Sequence, residues 1–324
     1  MTSQALCRRP FTFGFVLFPN FAMLSFSSVI EPLRIANRLS DKHIYHWELL
    51  SLDDQPVEAS NGLSFTPGLQ MDRWRDLDAI ILVAGIGTSL IADQRLFKWL
   101  RDIARGERLL GSTSTASILL AKAGVLKNKR CTIHWEDQVN LQEEYPELIV
   151  THELFEISDN IMTCSGGTAG LDMMLSLIER QQGHRLAKSI AEQCIHPTIR
   201  PAHDQQRMSI EESLGIHSPA LARAIEIMQS HIEDPVNCES IAAMVNISNR
   251  QLQRLFKHKF DLTPATYYLK IRLKHGDNLL SKTSMSILDV STATGFSSTS
   301  HFSKCYRKYY GMLPRERRKQ VATG

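Results

Sequence analysis

The sequence has few cysteines, and none of them stands in a metal-binding or disulfide motif. Six cysteines are scattered over 324 residues, with no CxxC pair and no cluster of histidine and cysteine. This spacing excludes the common zinc motifs and favours reduced thiols in a cytoplasmic protein. We therefore expect neither a metal site nor a cofactor.

Long hydrophobic runs are also missing. The most apolar N-terminal stretch, FTFGFVLFPNF, is interrupted by Gly14, Pro19 and Asn20. A membrane helix needs about 20 consecutive apolar residues, so the stretch is too short and too broken for a membrane span or a signal peptide. It predicts a first buried strand in a protein that has no membrane partner.

Positive charge is scarce in the first two thirds of the chain and concentrated in the last third. Residues 216–324 contain 16 lysines and arginines against 8 acidic residues, a net charge of +8, which leaves −5 on residues 1–215. This asymmetry is typical of a nucleic-acid-binding region attached to a mildly acidic body.

Strands and helices alternate over residues 11–195. The continuous apolar strand Asp78–Val83 ends at Gly85-Ile86-Gly87, and Arg108–Gly111 turns sharply through Ser112–Thr115 into a helix. Continuous apolarity indicates a parallel strand that is covered on both faces. The alternation predicts an α/β domain over residues 11–195, with a mainly parallel sheet in flavodoxin-like layers.

Glycines 166, 167 and 170 follow the last predicted strand, but the sequence there matches neither GxGxxG nor the Walker A pattern. We interpret them as a tight turn that packs a helix on the sheet rather than as a phosphate loop. Residues 196–215 then form a polar, proline-containing stretch, which predicts an interdomain linker. An all-α region over residues 216–320 follows.

A repeat dominates this helical region. IAAMVNISNRQLQRLFKHKFDLTP (241–264) aligns, with a one-residue insertion, to VSTATGFSSTSHFSKCYRKYYGMLP (290–314). Each copy predicts a short helix, a turn and a longer helix. In both longer helices apolar residues recur at i, i+3 and i+4, and the opposite face carries cationic and hydrogen-bonding side chains.

These two polar faces have the composition that meets phosphates and base edges in a major groove. An ordinary solvated helix face is the alternative for either copy taken alone. The repetition predicts two helix-turn-helix motifs, joined by a helix over about Pro264–Ser281. We assign DNA contacts to Asn249, Arg250, Gln253, Arg254, Lys257, Thr299, Ser300, Ser303, Lys304 and Arg307.

The run SILDVSTATGFSSTSHFSKCYRKYYGMLPRERR resembles the AraC/XylS signature, and residues 216–318 span that family's whole DNA-binding domain. Two residues depart from the family pattern. Asp261 stands where the family usually has glycine, and Ser291 where it usually has alanine. Asp tolerates the left-handed backbone of a helix end, so we expect the fold to be retained. Arg315, Arg317, Arg318 and Lys319 are interpreted as DNA-backbone contacts or a solubilising tail.

The N-terminal part resembles the class I glutamine amidotransferase-like (PfpI-type) domain that some AraC-type regulators carry as a sensor. The resemblance rests on FPNFAMLSFSSVIEPLRIAN, LLAKAGVLKNKRCTIHW and SGGTAGLDMMLSLIERQQG. The closest subgroup implies activators that respond to small quaternary amines or amino acids, such as glycine betaine, carnitine or arginine.

In catalytic relatives a cysteine occupies the strand-to-helix turn, with a histidine nearby and often a carboxylate from the first helix. In this sequence those positions fall on Ser114, His134 and Ser25. The resemblance thus implies that the thiol and the carboxylate are lost while the histidine is kept, and a serine nucleophile needs stronger activation. We expect a ligand-binding site, not a catalytic one.

For this effector site we select six residues that the predicted turns bring to the carboxyl ends of the strands: Glu31, Gly87, Ser114, Thr115, His134 and Trp135. Trp135 and Glu31 would suit a cationic ligand through the ring face and the opposite charge. The alternative is that His134 is a buried histidine with satisfied hydrogen bonds and that Trp135 belongs to the core.

The leading hypothesis is a cytoplasmic, metabolite-responsive transcriptional activator that is not an enzyme. It implies four partners: double-stranded DNA, a small-molecule effector, RNA polymerase and a second copy of the chain. Two alternatives stay open: an amidase- or hydrolase-type enzyme with an accessory DNA-binding domain, and an architectural DNA-binding protein without an effector.

Overall fold

The computed structural model describes residues 9–53, 55–70, 75–207, 210–283 and 285–323. Cys7 and Trp74 lie outside these ranges. The chain divides into a first unit that ends at Gln206 and a second that begins at Arg207. Among the described residues, no helix combines the length and the apolarity needed to span a membrane.

The first unit is built from eleven described strands and six described α-helices. The strands are β1 (Phe11–Leu17), β2 (Tyr45–Ser51), β3 (Val57–Glu58), β4 (Ser64–Phe65), β5 (Leu69–Gln70), β6 (Ala79–Val83), β7 (Leu109–Thr113), β8 (Arg130–Cys131), β9 (Ile149–Val150), β10 (Phe155–Ser158) and β11 (Ile161–Cys164). The helices are α1 (Met23–Ser40), α2 (Gln94–Ala104), α3 (Ser117–Lys122), α4 (Gln138–Glu144), α5 (Ala169–Gln182) and α6 (His184–Gln193).

The main sheet has seven strands in the order β10-β11-β7-β6-β1-β2-β5. All neighbours are parallel except β10, which pairs antiparallel with β11 at one edge. The central order β2-β1-β6-β7-β11 is the flavodoxin-like order, in which ligands bind where the connections change direction, between β1 and β6. The prediction of an α/β domain with a mainly parallel sheet is confirmed.

Strand β6 shows why the apolar run is continuous. All five of its residues are buried; Ala79, Ile81 and Val83 belong to one apolar core, and Ile80 and Leu82 to the other. Helices α1, α5 and α6 supply the first core, and α2 and α3 supply the second. A strand covered on both faces has no side that must be polar.

The sequence predicts one strand over Cys131–Trp135 and one over Ile149–Ile157, and the observed strands are shorter. β8 ends at Cys131, because the Thr132 amide bonds the Thr163 side chain instead of a strand neighbour. The second region is divided into β9 and β10. A separate helix α6 starts after Gly183, whose φ of 92° interrupts helical continuity.

The second unit is all-α among its described residues. Its helices are α7 (Ile210–Leu214), α8 (Pro219–Ser230), α9 (Cys238–Met244), α10 (Asn249–Phe260), α11 (Pro264–Lys282), α12 (Ile287–Ala293), α13 (Thr299–Tyr310) and α14 (Pro314–Thr323). Ser218 caps α8 by accepting from the Leu221 amide, as its position before Pro219 predicts. Pairs α9–α10 and α12–α13 are the two predicted helix-turn-helix motifs, and α11 joins them.

The segment predicted as a linker over residues 196–215 differs from an unstructured connection. Residues up to Gln206 bond to the first unit, and Ile210–Leu214 is helical in the second. Its polar composition suggested a free linker. The polar side chains of Arg200 and Gln206 instead bond groups of the first unit, Asp172 and the Ile133 carbonyl.

Candidate nucleic-acid interface and effector site

Each longer helix of the repeat, α10 and α13, has one buried and one exposed face. Leu252 and Phe256 in α10, like Phe302 and Tyr306 in α13, are fully buried. The two helices begin at equivalent places, because Ser248 and Ser298 are both N-caps that accept from the amide three residues later. The inserted residue of the second copy is therefore Ser297, which precedes the cap.

The structure places the ten predicted DNA-contact residues along these outer faces. Exposed positions are Arg250, Gln253, Arg254, Lys257, Ser300, Lys304 and Arg307, whereas Asn249, Thr299 and Ser303 are half-buried. Asn249 and Thr299 are the first residues of their helices, and the Thr299 hydroxyl lies 3.4 Å from that of Ser291. Helix geometry thus turns both faces outward as the spacing predicts.

The C-terminal ends of the two helices differ in charge. Asp261 adopts a left-handed backbone with φ 56°, and Gly311 at the matching position has φ 77°. Asp261 forms an ion pair with Lys257. Hydrogen bonding from Lys257 and its positive charge hold the pKa of Asp261 below its usual value. The substitution of aspartate for the usual glycine keeps the helix end and adds a charge beside the predicted DNA contacts.

Helix α11 positions the second motif through Arg272. Its guanidinium donates to the carbonyls of Thr294 (2.8 Å) and Gly295 (2.6 Å) and lies 4.4 Å from the centroid of the Phe296 ring. These three residues form the turn between α12 and α13. Arg272 therefore connects the joining helix directly to the turn that orients the second recognition helix.

A half-buried carboxylate also holds α13. Asp277 on α11 accepts from the hydroxyl of Tyr306 at 2.5 Å and from Nε of Arg317 at 2.9 Å. Arg318 donates to the carbonyl of Met285. Both side chains therefore bond within the domain and do not form a free tail, whereas contact of Arg317 or Arg318 with the DNA backbone stays a prediction.

A further basic residue, Lys308, lies beside the second predicted face but is not among the ten predicted DNA-contact residues. Lys308 lines a groove together with Ser303, Lys304, Arg307 and Leu313. The second face was predicted at the positions that match those of the first copy, and Lys308 is not at one of them. The adjacent pair Arg307-Lys308 was the available signal.

In the first unit, the predicted effector site centres on the turn after β7. Ser114 has φ 61°, a left-handed conformation that is uncommon for a side-chain-bearing residue and is often found at functional sites. Gly166 packs against it: a Cβ on Gly166 would lie 2.8 Å from the Ser114 Cβ and 2.9 Å from the Ser25 Oγ. Ser25 Oγ also accepts from the Gly167 amide at 2.8 Å. The glycine turn is a packing element, as predicted.

Thr115 is held at the end of β6. Its hydroxyl donates to the Gly85 carbonyl at 2.7 Å and lies 2.7 Å from the hydroxyl of Thr88, a partner that the sequence did not suggest. Gly87, with φ 81°, immediately precedes Thr88. The structure thus brings Gly87, Ser114 and Thr115 to the carboxyl ends of neighbouring strands, β6 and β7.

His134 and Trp135 complete the same region. The His134 amide donates to the Ser114 carbonyl at 3.3 Å, and the two ring centroids of His134 and Trp135 are 5.5 Å apart. Both side chains are half-buried, so neither is an enclosed core residue. Both residues therefore keep part of their surface exposed, and the bond from the His134 amide joins this segment to the Ser114 turn.

Glu31 lies apart from this group. Its carboxylate pairs with Arg34 at 2.6 Å. Burial, and then the negative charge of Glu31, raises the pKa of the Cys194 thiol just after α6. Glu31 lies six positions after Ser25, about 9 Å along the axis of α1. The residue that α1 does bring to the Ser114 turn is Ser25, the position that the resemblance assigns to the carboxylate of catalytic relatives.

Comparisons with known proteins cover both units. Residues 16–180 match the DJ-1/PfpI family, and residues 241–320 match a helix-turn-helix domain. The HTH-type transcriptional regulator GbdR of Pseudomonas aeruginosa is 42% identical over 98% of this chain and 86% of its own length. The crystal structure of an AraC family transcriptional regulator from Pseudomonas putida superposes with a TM-score of 0.54, at 28% identity, over 57% of this chain and all of its own.

An enzyme is also similar to part of the chain. The isonitrile hydratase of Pseudomonas putida is 30% identical over 52% of this chain and 72% of its own length. The full-length similarity lies with regulators. The chain belongs to the AraC-type family of transcriptional regulators that carry an N-terminal DJ-1/PfpI domain. It is a DNA-binding transcriptional regulator.

Proposed function

We propose that this regulator is a homodimeric activator that binds a small quaternary amine or amino acid at the Ser114 turn and contacts RNA polymerase at its promoters. In this proposal residues 11–195 sense the effector, and residues 216–320 bind DNA. The strained Ser114 turn, flanked by the half-buried rings of His134 and Trp135, is the observation that supports effector binding.

The same turn supports binding without catalysis. Ser114 stands in place of a thiol, and Ser25 replaces the carboxylate that orients the base in catalytic relatives; serine is the weaker nucleophile without such activation. The similarity to an isonitrile hydratase covers 52% of this chain, and it makes the enzyme the alternative to test.

The first experiment measures effector binding with glycine betaine, carnitine and arginine as probes. Tryptophan fluorescence of the full chain should report saturable binding of one of them. Trp135→Ala should weaken that binding at least about tenfold, the cost of losing a desolvated cation–π contact, while Trp135→Phe should retain part of it. Unchanged affinity in Trp135→Ala would mean that a cation does not bind over this ring.

The second experiment separates a sensor from an enzyme. Ser114→Ala should preserve much of the induced output of a promoter fusion, whereas an enzyme that uses Ser114 would lose turnover of its substrate. Deletion of residues 216–324 should abolish the promoter response. Sedimentation equilibrium of the full chain tests the dimer, and a two-hybrid assay against RNA polymerase subunits tests the polymerase contact.

A further inference from the structure

The chain leaves the first unit through residues 196–206, here termed the exit segment, and its first half is anchored on a buried carboxylate. Asp172 of α5 has no exposed surface. It accepts from Nε2 of His196 at 2.8 Å, and from the amide, Nε and Nη2 of Arg200 at 2.8, 3.0 and 2.7 Å. Charge-assisted bonds to a buried carboxylate are among the strongest that a side chain makes.

The second half of the exit segment is anchored on a different element. The amide nitrogen Nε2 of Gln206 donates to the Thr132 hydroxyl (2.9 Å) and to the carbonyls of Ile133 (3.1 Å) and Glu153 (2.9 Å). Between the two anchors, the Leu154 amide donates to the Ala202 carbonyl at 2.8 Å. The segment is therefore held along its length and is a structural part of the first unit.

Both anchors adjoin the effector site. Nη2 of Arg200 also donates to the Thr168 hydroxyl at 2.8 Å, and Thr168 directly follows the Gly166-Gly167 turn that packs on Ser114. On the other side, Ile133 directly precedes His134, whose amide bonds the Ser114 carbonyl. The two ends of the exit segment thus hold the two chain segments that flank the Ser114 turn.

We infer that Arg200 and Gln206 are positioning residues that couple the effector site to the DNA-binding domain through the exit segment. This inference rests on the proposed function. An effector that displaces the chain at Thr168 changes the hydrogen bonds of Arg200, and one that displaces the chain at His134 changes those of Gln206. The second unit begins at the residue after Gln206. The effector can change the DNA affinity only by as much as its own affinity differs between the protein with an anchor formed and the protein with that anchor released.

The test compares Gln206→Ala with Gln205→Ala in the full chain. Gln205 is an exposed neighbour, so its variant matches the change in composition without removing the anchor. Fluorescence anisotropy with promoter DNA, with and without glycine betaine, carnitine or arginine, gives the ratio of the two DNA affinities. In Gln206→Ala this ratio should fall at least about fivefold towards one, the lower end of usual allosteric couplings. In Gln205→Ala it should stay at the wild-type value.

Amide hydrogen exchange supplies a readout that needs no effector. Gln206→Ala should accelerate exchange about tenfold at His134 and also at Gly167 and Thr168, the far side of the site. Arg200→Ala should accelerate exchange at His134, and Arg200→Lys should restore protection in part because it keeps the charge but loses the planar fork.

The outcomes separate this inference from the proposed function. Acceleration confined to the substituted end, or a wild-type affinity ratio in Gln206→Ala, would overturn the coupling. The wild-type protein could bind none of the three probes while Gln206→Ala and Arg200→Ala each still accelerate exchange at the opposite side of the site. That result would overturn the proposed effector class and support the mechanical connection.

Discussion

Lys257 and Asp261 form an ion pair across the last turn of the first recognition helix, at a place where the second recognition helix ends in Gly311. Lys257 is one of the three cations on the first predicted DNA-contact face, and the pair engages it within the protein. Both side chains are exposed, so the pair adds little to stability. If Lys257 contacts a DNA phosphate as predicted, Asp261 competes with that phosphate for the lysine.

Asp261→Asn should therefore bind non-specific DNA more tightly than wild type. Asparagine tolerates the left-handed backbone at φ 56°, so the helix end is kept. Freeing one lysine for a phosphate contact should make the slope of log affinity against log salt steeper by about 0.9. Anisotropy titrations at several salt concentrations measure both quantities.

Asp234→Asn is the matched control for that change. Asp234 is an exposed aspartate of the same unit, outside both recognition helices, and its variant has the same gain in net charge. An equal gain in affinity from Asp234→Asn would show that overall charge, and not Lys257, is responsible. The double variant Lys257→Ala, Asp261→Asn should lose most of the gain.

Arg272→Ala should destabilise the second unit by about 2–4 kcal/mol, the cost of two charge-assisted hydrogen bonds and a cation–π contact. Burial lowers the pKa of the Arg272 guanidinium, in keeping with its structural role. Arg272→Lys should recover only part of the loss, since an ammonium cannot span the Thr294 and Gly295 carbonyls as a planar fork does.

The placement of tryptophan makes this prediction specific. All four tryptophans precede residue 196, so their fluorescence follows the first unit, while far-UV circular dichroism also records the helices of the second. In urea, Arg272→Ala should move the circular dichroism transition and leave the fluorescence transition in place. A common shift of both transitions would contradict a role confined to the second unit.

The sequence predicts periodic elements well because their periodicity has one physical cause. Ser218-Pro219 predicts the start of α8, and the i, i+3, i+4 pattern predicts which faces of α10 and α13 are buried. Long-range polar contacts leave no such pattern. Asp277 and Arg317 are 40 residues apart and look like ordinary surface charges, yet they pair within the domain.

The same contrast between patterned and long-range contacts applies to the predicted effector site. The resemblance to PfpI-type domains places Ser114 and His134 in one region, and the structure brings them together there through the bond from the His134 amide to the Ser114 carbonyl. Glu31 was selected by charge alone, and its carboxylate pairs with Arg34 on the surface of α1. The anchoring of Arg200 on Asp172 was not predicted, because a polar, proline-containing stretch carries no sign of which buried carboxylate it will meet.

Gly166→Ala should damage the effector site, and Gly167→Ala should largely spare it. Both glycines have positive φ, 88° and 56°, which costs alanine about 1–2 kcal/mol. Only at Gly166 would the new methyl group also meet Ser114, at 2.8 Å; at Gly167 nothing lies within 4 Å. The additional overlap should raise the cost at Gly166 to about 2–4 kcal/mol.

The urea midpoint of tryptophan fluorescence measures these costs, and effector titration measures the damage to the site. Gly166→Ala should lose effector binding at protein concentrations and temperatures where it is still folded. Equal midpoints for the two variants would mean that the backbone conformation, and not the contact with Ser114, determines the cost.

The two recognition faces should contribute unequally to DNA binding. Arg250 and Gln253 have long side chains that can make two hydrogen bonds to a base edge, whereas the matching Ser300 and Ser303 are short. Alanine at Arg250 or Gln253 should reduce discrimination between the promoter site and a mutated site by about 1–3 kcal/mol. Alanine at Ser300 or Ser303 should change it by less.

Cations of the second face should act mainly through phosphate. Lys304→Ala should weaken binding to both DNA sites equally and reduce the salt slope by about 0.9, because one counterion-releasing contact is lost. Competition binding with paired promoter and mutated duplexes distinguishes the two kinds of effect. If Ser300, Ser303 or Lys304 variants lose more discrimination than Arg250 or Gln253 variants, the second helix is the more sequence-selective, and the longer side chains of the first serve mainly for positioning.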